Sequence, residues 1–304
     1  MAMMLSTPPV PADWIRQTPF SDPGRHGALM EDVAPTPAEI GPVVRNLLAH
    51  YRAEGVGLPE SSREDINLRW VEEMLATDQE RHSGRALHEV REPGERLQGC
   101  CRDHTLLTVG ILRRHGIPAR SRVGFADYFV PGWHSDHVIA EFHDGQRWRR
   151  FDPEVAPESG LLPDPWDMET GPGAPFTTAA EAFRALRAGE LDASHHGVAP
   201  GHELSGEHFV LAEIYWELAH RYGDELLLWD GWGAIPPPDR TMDEPLLAVL
   251  DEVAEQLISA DAGDQQAERA LYERYVQDER LHPGPAILQF SPLGGEPVRV
   301  DLRR

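Results

Sequence analysis

Apolar and polar positions divide the 304-residue chain into an early helical part, a short β-rich centre and a long helical end. Residues 1–35 are Pro-rich and show no period, so they read as an N-terminal arm laid over the surface or partly disordered. Helical signals begin at Thr36-Pro37-Ala38-Glu39, with a cap residue, a proline at the first helical position and a glutamate three residues after the cap. A second helical stretch runs near 66–77. The clearest helix covers 101–115, with Leu106, Leu107, Val109, Ile111 and Leu112 as its apolar positions, and it closes at Gly116 with Pro118 just beyond.

Strand character follows at 120–125, 138–142 and 148–151. Asp144-Gly145 lies between the last two, and this dipeptide favours a two-residue hairpin loop. Five prolines and three glycines at 156–176 predict a linker or a long irregular loop. Helical periodicity then returns at 178–189, 205–221, 243–260 and 264–281, and 282–304 read as a tail packed on the surface. The expected organisation is an arm (1–35), a mixed core (36–155), a linker or loop (156–176) and a mainly helical part (177–304) packed on that core. The fold class is α+β.

Hydrophobic residues at 40% and charged residues at 26% fit an ordinary globular protein. A net charge of −23 argues against nucleic acid and anionic membrane surfaces as partners, since both are held mainly by cationic side chains. Every basic residue is arginine, so lysine chemistry such as Schiff-base catalysis or a P-loop is excluded. With its Ala, Gly and Pro content, the bias also fits a GC-rich genome. Cys100 and Cys101 are adjacent and cannot staple a fold. With no leader-like N-terminus and no apolar run of about 18 residues, a cytoplasmic location is expected.

Two features carry candidate chemistry. Cys100 and Cys101 stand where the 101–115 helix begins, and the positive end of a helix favours thiolate and offers free N–H groups to a developing oxyanion. The bland alternative is a small buried hydrophobe. The second feature is His137 with Asp152. With a two-residue loop at Asp144-Gly145, the strands pair so that His137 faces Asp152 directly, and the carboxylate would orient the imidazole. An incidental cross-strand pair is the alternative.

Cys, His and Asp then follow in that order, 36 and 15 positions apart. With GCCRDHTLLTVGILRRHGIPAR and SDHVIAEFHDGQRWRRFDPE, the sequence resembles the transglutaminase-like superfamily. The resemblance implies a papain-like, transglutaminase-type core with Cys101 as nucleophile, His137 as base and Asp152, of the Asp152-Pro153 pair, as orienter. Arg120, Gly124 and Glu141 also fall on the family's pattern, while Ile139 stands where a Trp is frequent. The family needs a second oxyanion donor, for which Gln98 and Trp70 are candidates. No calcium loop is visible, and no cofactor or metal is expected, although the histidines around His134 and His195 leave a metal reading open.

The expected function is cysteine-dependent acyl transfer through a thioester. The acyl donor would be a small molecule or peptide, and the acceptor water or an amine. A catalytically silent binding module of the same fold and a cysteine peptidase are the alternatives. Cys100 is the alternative nucleophile. Arg102 and Asp103 read as structural, and Trp216, Trp229 and Trp232 as core.

Overall fold

The structure, a computed structural model, describes residues 11–52, 57–236 and 240–303. After a short 3-10 turn at Pro11–Ile15 come α1 (Gly27–Glu31), α2 (Pro37–Leu47), β1 (Leu48–His50), α3 (Val71–Arg81), β2 (Leu97–Gly99) and α4 (Cys101–Arg114). The centre holds β3 (Ala119–Val130), β4 (Trp133–His143), β5 (Trp148–Phe151) and β6 (Phe176–Thr178). Then follow α5 (Ala179–Arg187), β7 (His196–Gly197), α6 (Glu207–Arg221), β8 (Asp230–Gly231), α7 (Glu244–Asp261), α8 (Gln265–Gln277), β9 (Ala286–Gln289) and β10 (Val298–Asp301).

The α+β expectation holds. The main sheet runs β5–β4–β3–β6 with antiparallel neighbours, and β7 joins β4 in parallel. Along α4 the side chains from Cys101 to Arg113 are all buried, so the helix is a central one, covered on every side. It packs on β3 and β4, and Thr105 ties it there by donating its hydroxyl proton to the Val138 carbonyl at 2.8 Å. The helix stops as expected: Gly116 adopts φ +74°, and the Ile117 N–H reaches back to the Leu112 carbonyl.

Three expectations need correction, and one open alternative, linker or loop, is decided. The N-terminal arm is not a surface cover: Phe20, Met30 and Val33 join the main core, and Gln17 donates to the Gly110 carbonyl inside α4; residues 1–10 lie outside the described residues. The stretch near 66–77 is two elements, a 3-10 turn at Glu60–Asn67 and α3, separated around Trp70. The 156–176 segment is an irregular loop with its own small core, in which Leu162, Met168 and Phe176 pack with Val155 and Ile139. The 282–304 tail carries strands, because β9 pairs with both β8 and β10 in a separate three-stranded sheet.

Gly124 shows why β6 can sit where it does. A Cβ there would lie 2.1 Å from the Thr177 carbonyl oxygen and 2.8 Å from the Thr178 Cα, so only glycine lets β6 and the start of α5 close onto β3. The C-terminal helices are locked on by charge. Asp261, at the end of α7, meets Arg122 at 2.5 Å and Arg221 at 2.8 Å, while Glu141 on β4 holds Arg120, Arg122 and Arg150.

Candidate active site

Cys101 begins α4, and Cys100 is its N-cap, with φ −125° and ψ −174°. The Cys100 N–H donates to Asp103 Oδ2 at 2.8 Å, and Arg102 pairs with the other Asp103 oxygen at 2.9 Å. Arg102 also donates to the backbone carbonyls of Arg69 and Glu225, so Arg102 and Asp103 fix the start of the helix. Because Cys100 is a cap residue and not part of the helix, helical rotation does not turn it away from Cys101, and both side chains border one cavity. Thr105 lies one turn beyond Cys101 on the same face, so its bond to the carbonyl of Val138 sets the Cys101 turn beside the strand segment that carries His137.

His137 Nε2–H donates to Asp152 Oδ2 at 2.7 Å, in a pair with both side chains almost fully buried. The hairpin register behind it differs from expectation. Ala140 pairs with Phe151 and His143 with Trp148, so the loop has four residues, 144–147, and the strands are offset by two. An offset of two keeps every side chain on its own face of the sheet. His137 and Asp152 are therefore diagonal neighbours and not directly opposed, and a long ring reaches across such a diagonal.

Asp152 is held from three further directions. The Tyr128 hydroxyl donates to Oδ2 at 2.6 Å, and the Glu154 N–H donates to Oδ1 at 2.9 Å. Its own N–H donates to the Pro165 carbonyl, which makes the 156–176 loop a brace for the carboxylate. The edges of Tyr128 and Phe129 also meet the His137 ring, with centroids 6.0 and 4.8 Å away.

Burial alone would lower the His137 pKa; the charge and hydrogen bond of Asp152 overturn that and hold it above the ordinary imidazole value. Burial alone would raise Asp152, and His137 together with the Tyr128 bond keeps it below the ordinary carboxylate range. Cys101 runs against the thiolate expectation. A hydrogen bond to Cys100, burial and the nearby Glu154 and Asp136 charges push its thiol well above the ordinary value. The helix terminus is outweighed by an acidic, closed surrounding. Among the described residues no hydrogen bond joins Cys101 to His137; both border one cavity.

That cavity has a volume of about 1160 Å³. Besides Cys101 and His137, residues not anticipated from sequence border it: Tyr51, Asp136, Glu154, and a group of aromatic side chains from the C-terminal half. Gln98 and Trp70 do not. The Gln98 amide donates to the Pro59 carbonyl and Ser62 Oγ, and Trp70 lies under the Arg303 guanidinium in the core. Tyr51 has the better position. Its N–H binds the Gly99 carbonyl, its hydroxyl has no hydrogen-bond partner among the described residues, and burial pushes its pKa up to about 12, so it stays a proton donor. Of the histidines that suggested metal, His134 and His196 stack with centroids 4.3 Å apart, and His196 binds the Asp192 carbonyl.

Residues 59–153 match the family model described as the transglutaminase-like superfamily. Comparison with curated proteins finds no match. Among solved structures, a candidate cysteine protease from Cytophaga hutchinsonii is similar, with 16% identity and a TM-score of 0.31 over 49% of this chain and 44% of that one. A likeness that distant bears on neither fold nor function. Over residues 59–153 the chain is thus similar to the transglutaminase-like superfamily, in the part that holds the Cys101 helix and the strands around His137 and Asp152.

Proposed function

We propose that the protein is a cysteine-dependent acyl-transfer enzyme in which Cys101, His137 and Asp152 act as nucleophile, base and orienter. The observation that carries this reading is the buried His137–Asp152 bond beside a cavity that Cys101, the first residue of a helix, also borders. With Nε2 engaged by Asp152, His137 Nδ1 is left to take the Cys101 proton as sulfur attacks an ester, thioester or amide carbonyl. The Cys101 N–H has no intrahelical acceptor, and with the Tyr51 hydroxyl it would receive the oxyanion. The imidazolium then protonates the leaving group, and a thioester on Cys101 remains. Water or an amine, deprotonated by His137, attacks that thioester and restores the thiol. Water makes the protein a hydrolase, and an amine makes it a transferase.

A second reading, a binding module that keeps the fold without chemistry, draws on the raised Cys101 thiol and its missing bond to His137. Mass spectrometry of the chain mixed with 4-nitrophenyl acetate separates the two. The first reading expects an acetyl group on the Cys101 peptide, absent in Cys101→Ala, retained in Cys100→Ala and formed at least about 100-fold more slowly in His137→Ala. An unmodified Cys101 peptide at millimolar ester, with all variants folded, would leave the binding module standing.

A further inference from the structure

We propose that the acyl group passed to Cys101 is large and apolar, seated between α6 and the C-terminal sheet; this rests on the thioester reading above. The cavity that Cys101 and His137 border is also lined by Trp216 on α6, by Trp229 and Trp232 flanking β8, and by Ile287, Leu288 and Phe290 in and just after β9. Its volume of about 1160 Å³ exceeds the ordinary small-molecule range of roughly 300–1,000 Å³. A short acyl group, or the side chain of one residue, would leave most of it unfilled. Charged groups border the cavity near the reacting residues in the chain, Asp136 and Glu154, and at the C-terminal sheet, Asp230 and Arg299, but the larger part of the C-terminal wall is aromatic and aliphatic.

One further observation separates the edge of this wall from packed core. Leu288 and Phe290 are 47% and 52% exposed, apolar side chains at the cavity's edge that an acyl chain would cover. Remote contacts of this kind are realised as faster acylation when they hold the carbonyl against the nucleophile.

The test is the acylation rate of the full chain by 4-nitrophenyl acetate, butyrate, octanoate and decanoate, with the Cys101→Ala rate subtracted and all esters below their micelle concentrations. Expected is a rise in kcat/KM of about three- to four-fold per added methylene up to the length that fills the cavity. Leu288→Arg, at an exposed strand position, keeps the acetate rate and flattens the rise. Octanoate and decanoate reacting no faster than acetate, with Cys101 acetylated, would overturn the apolar acyl site and leave the thioester reading intact. No adduct from any ester would instead remove the thioester reading itself. A rise with chain length that persists unchanged in Leu288→Arg would overturn the placement against β9.

Discussion

At Asp152 one carboxylate oxygen accepts both the His137 Nε2–H and the Tyr128 hydroxyl, so the group that raises the imidazole pKa is itself pinned by a second donor. Since His137 must be neutral to accept the Cys101 proton, ester acylation should rise with pH through the His137 pKa, which lies above the ordinary imidazole value. Asp152→Asn removes the charge that lifts it. The rising limb should then move to lower pH while the plateau falls on the order of 10³- to 10⁴-fold, as loss of an orienting carboxylate does in related triads. A limb that stays at the parent pH would show that His137 is not the titrating base. The His–Asp pairing was legible because side-chain faces alternate with period two, so an error of two in register left the partners on one face. Tyr128 was not legible. It sits where the β3–β4 pairing breaks between Ala126 and Val130, and a break in the ladder leaves no sequence period to read.

Among the elements, α4 was read almost to its boundaries, because its cap, its apolar positions and its closing glycine all agree. β6, β7 and β8 were not, each being two or three residues long and held by neighbours rather than by its own pattern. The close contact of β3 with β6 makes a prediction of definite sign. By strand preference alone Gly124→Ala would help, since glycine weakens strands. The backbone atoms of Thr177 and Thr178 stand in the way, so Gly124→Ala should instead cost about 1–3 kcal/mol in urea unfolding. An equal or higher stability would mean that β6 yields without loss.

Over the whole molecule, the lysine-free composition acquires a structural use. Buried carboxylates are met by arginine forks: Asp78 by Arg91, Asp230 by Arg69, and Glu268 by Arg221. A planar guanidinium serves such bidentate pairs better than an ammonium. Glu141 is the hub that joins the sheet to this network. Burial alone would raise it, but Arg120, Arg122 and Arg150 hold it at about 2. A carboxylate depressed in the folded state contributes stability above its ordinary pKa and loses that contribution as pH falls toward 2. Glu141→Gln should therefore cost about 3–5 kcal/mol at neutral pH, leaving three buried cations undercompensated. Its deficit relative to the parent should shrink below about pH 4. A deficit independent of pH in parallel urea titrations would assign the loss to packing instead of charge.

The sequence by itself determined the class of fold, the helix that presents Cys101, and the sharing of one sheet face by His137 and Asp152. These follow from caps, periods and turn residues, which act over a few positions of chain. Only the tertiary structure decided that the N-terminal arm enters the core, that the 156–176 loop braces Asp152, and that the last strands wall the cavity. It also set the direction of the Cys101 pKa: a helix start favours thiolate, but the bond to Cys100, burial, and the Glu154 and Asp136 charges raise it, and of these the burial and the two carboxylates come from distant parts of the chain. Contacts of that kind depend on which surfaces meet in three dimensions, and local periodicity carries no record of them.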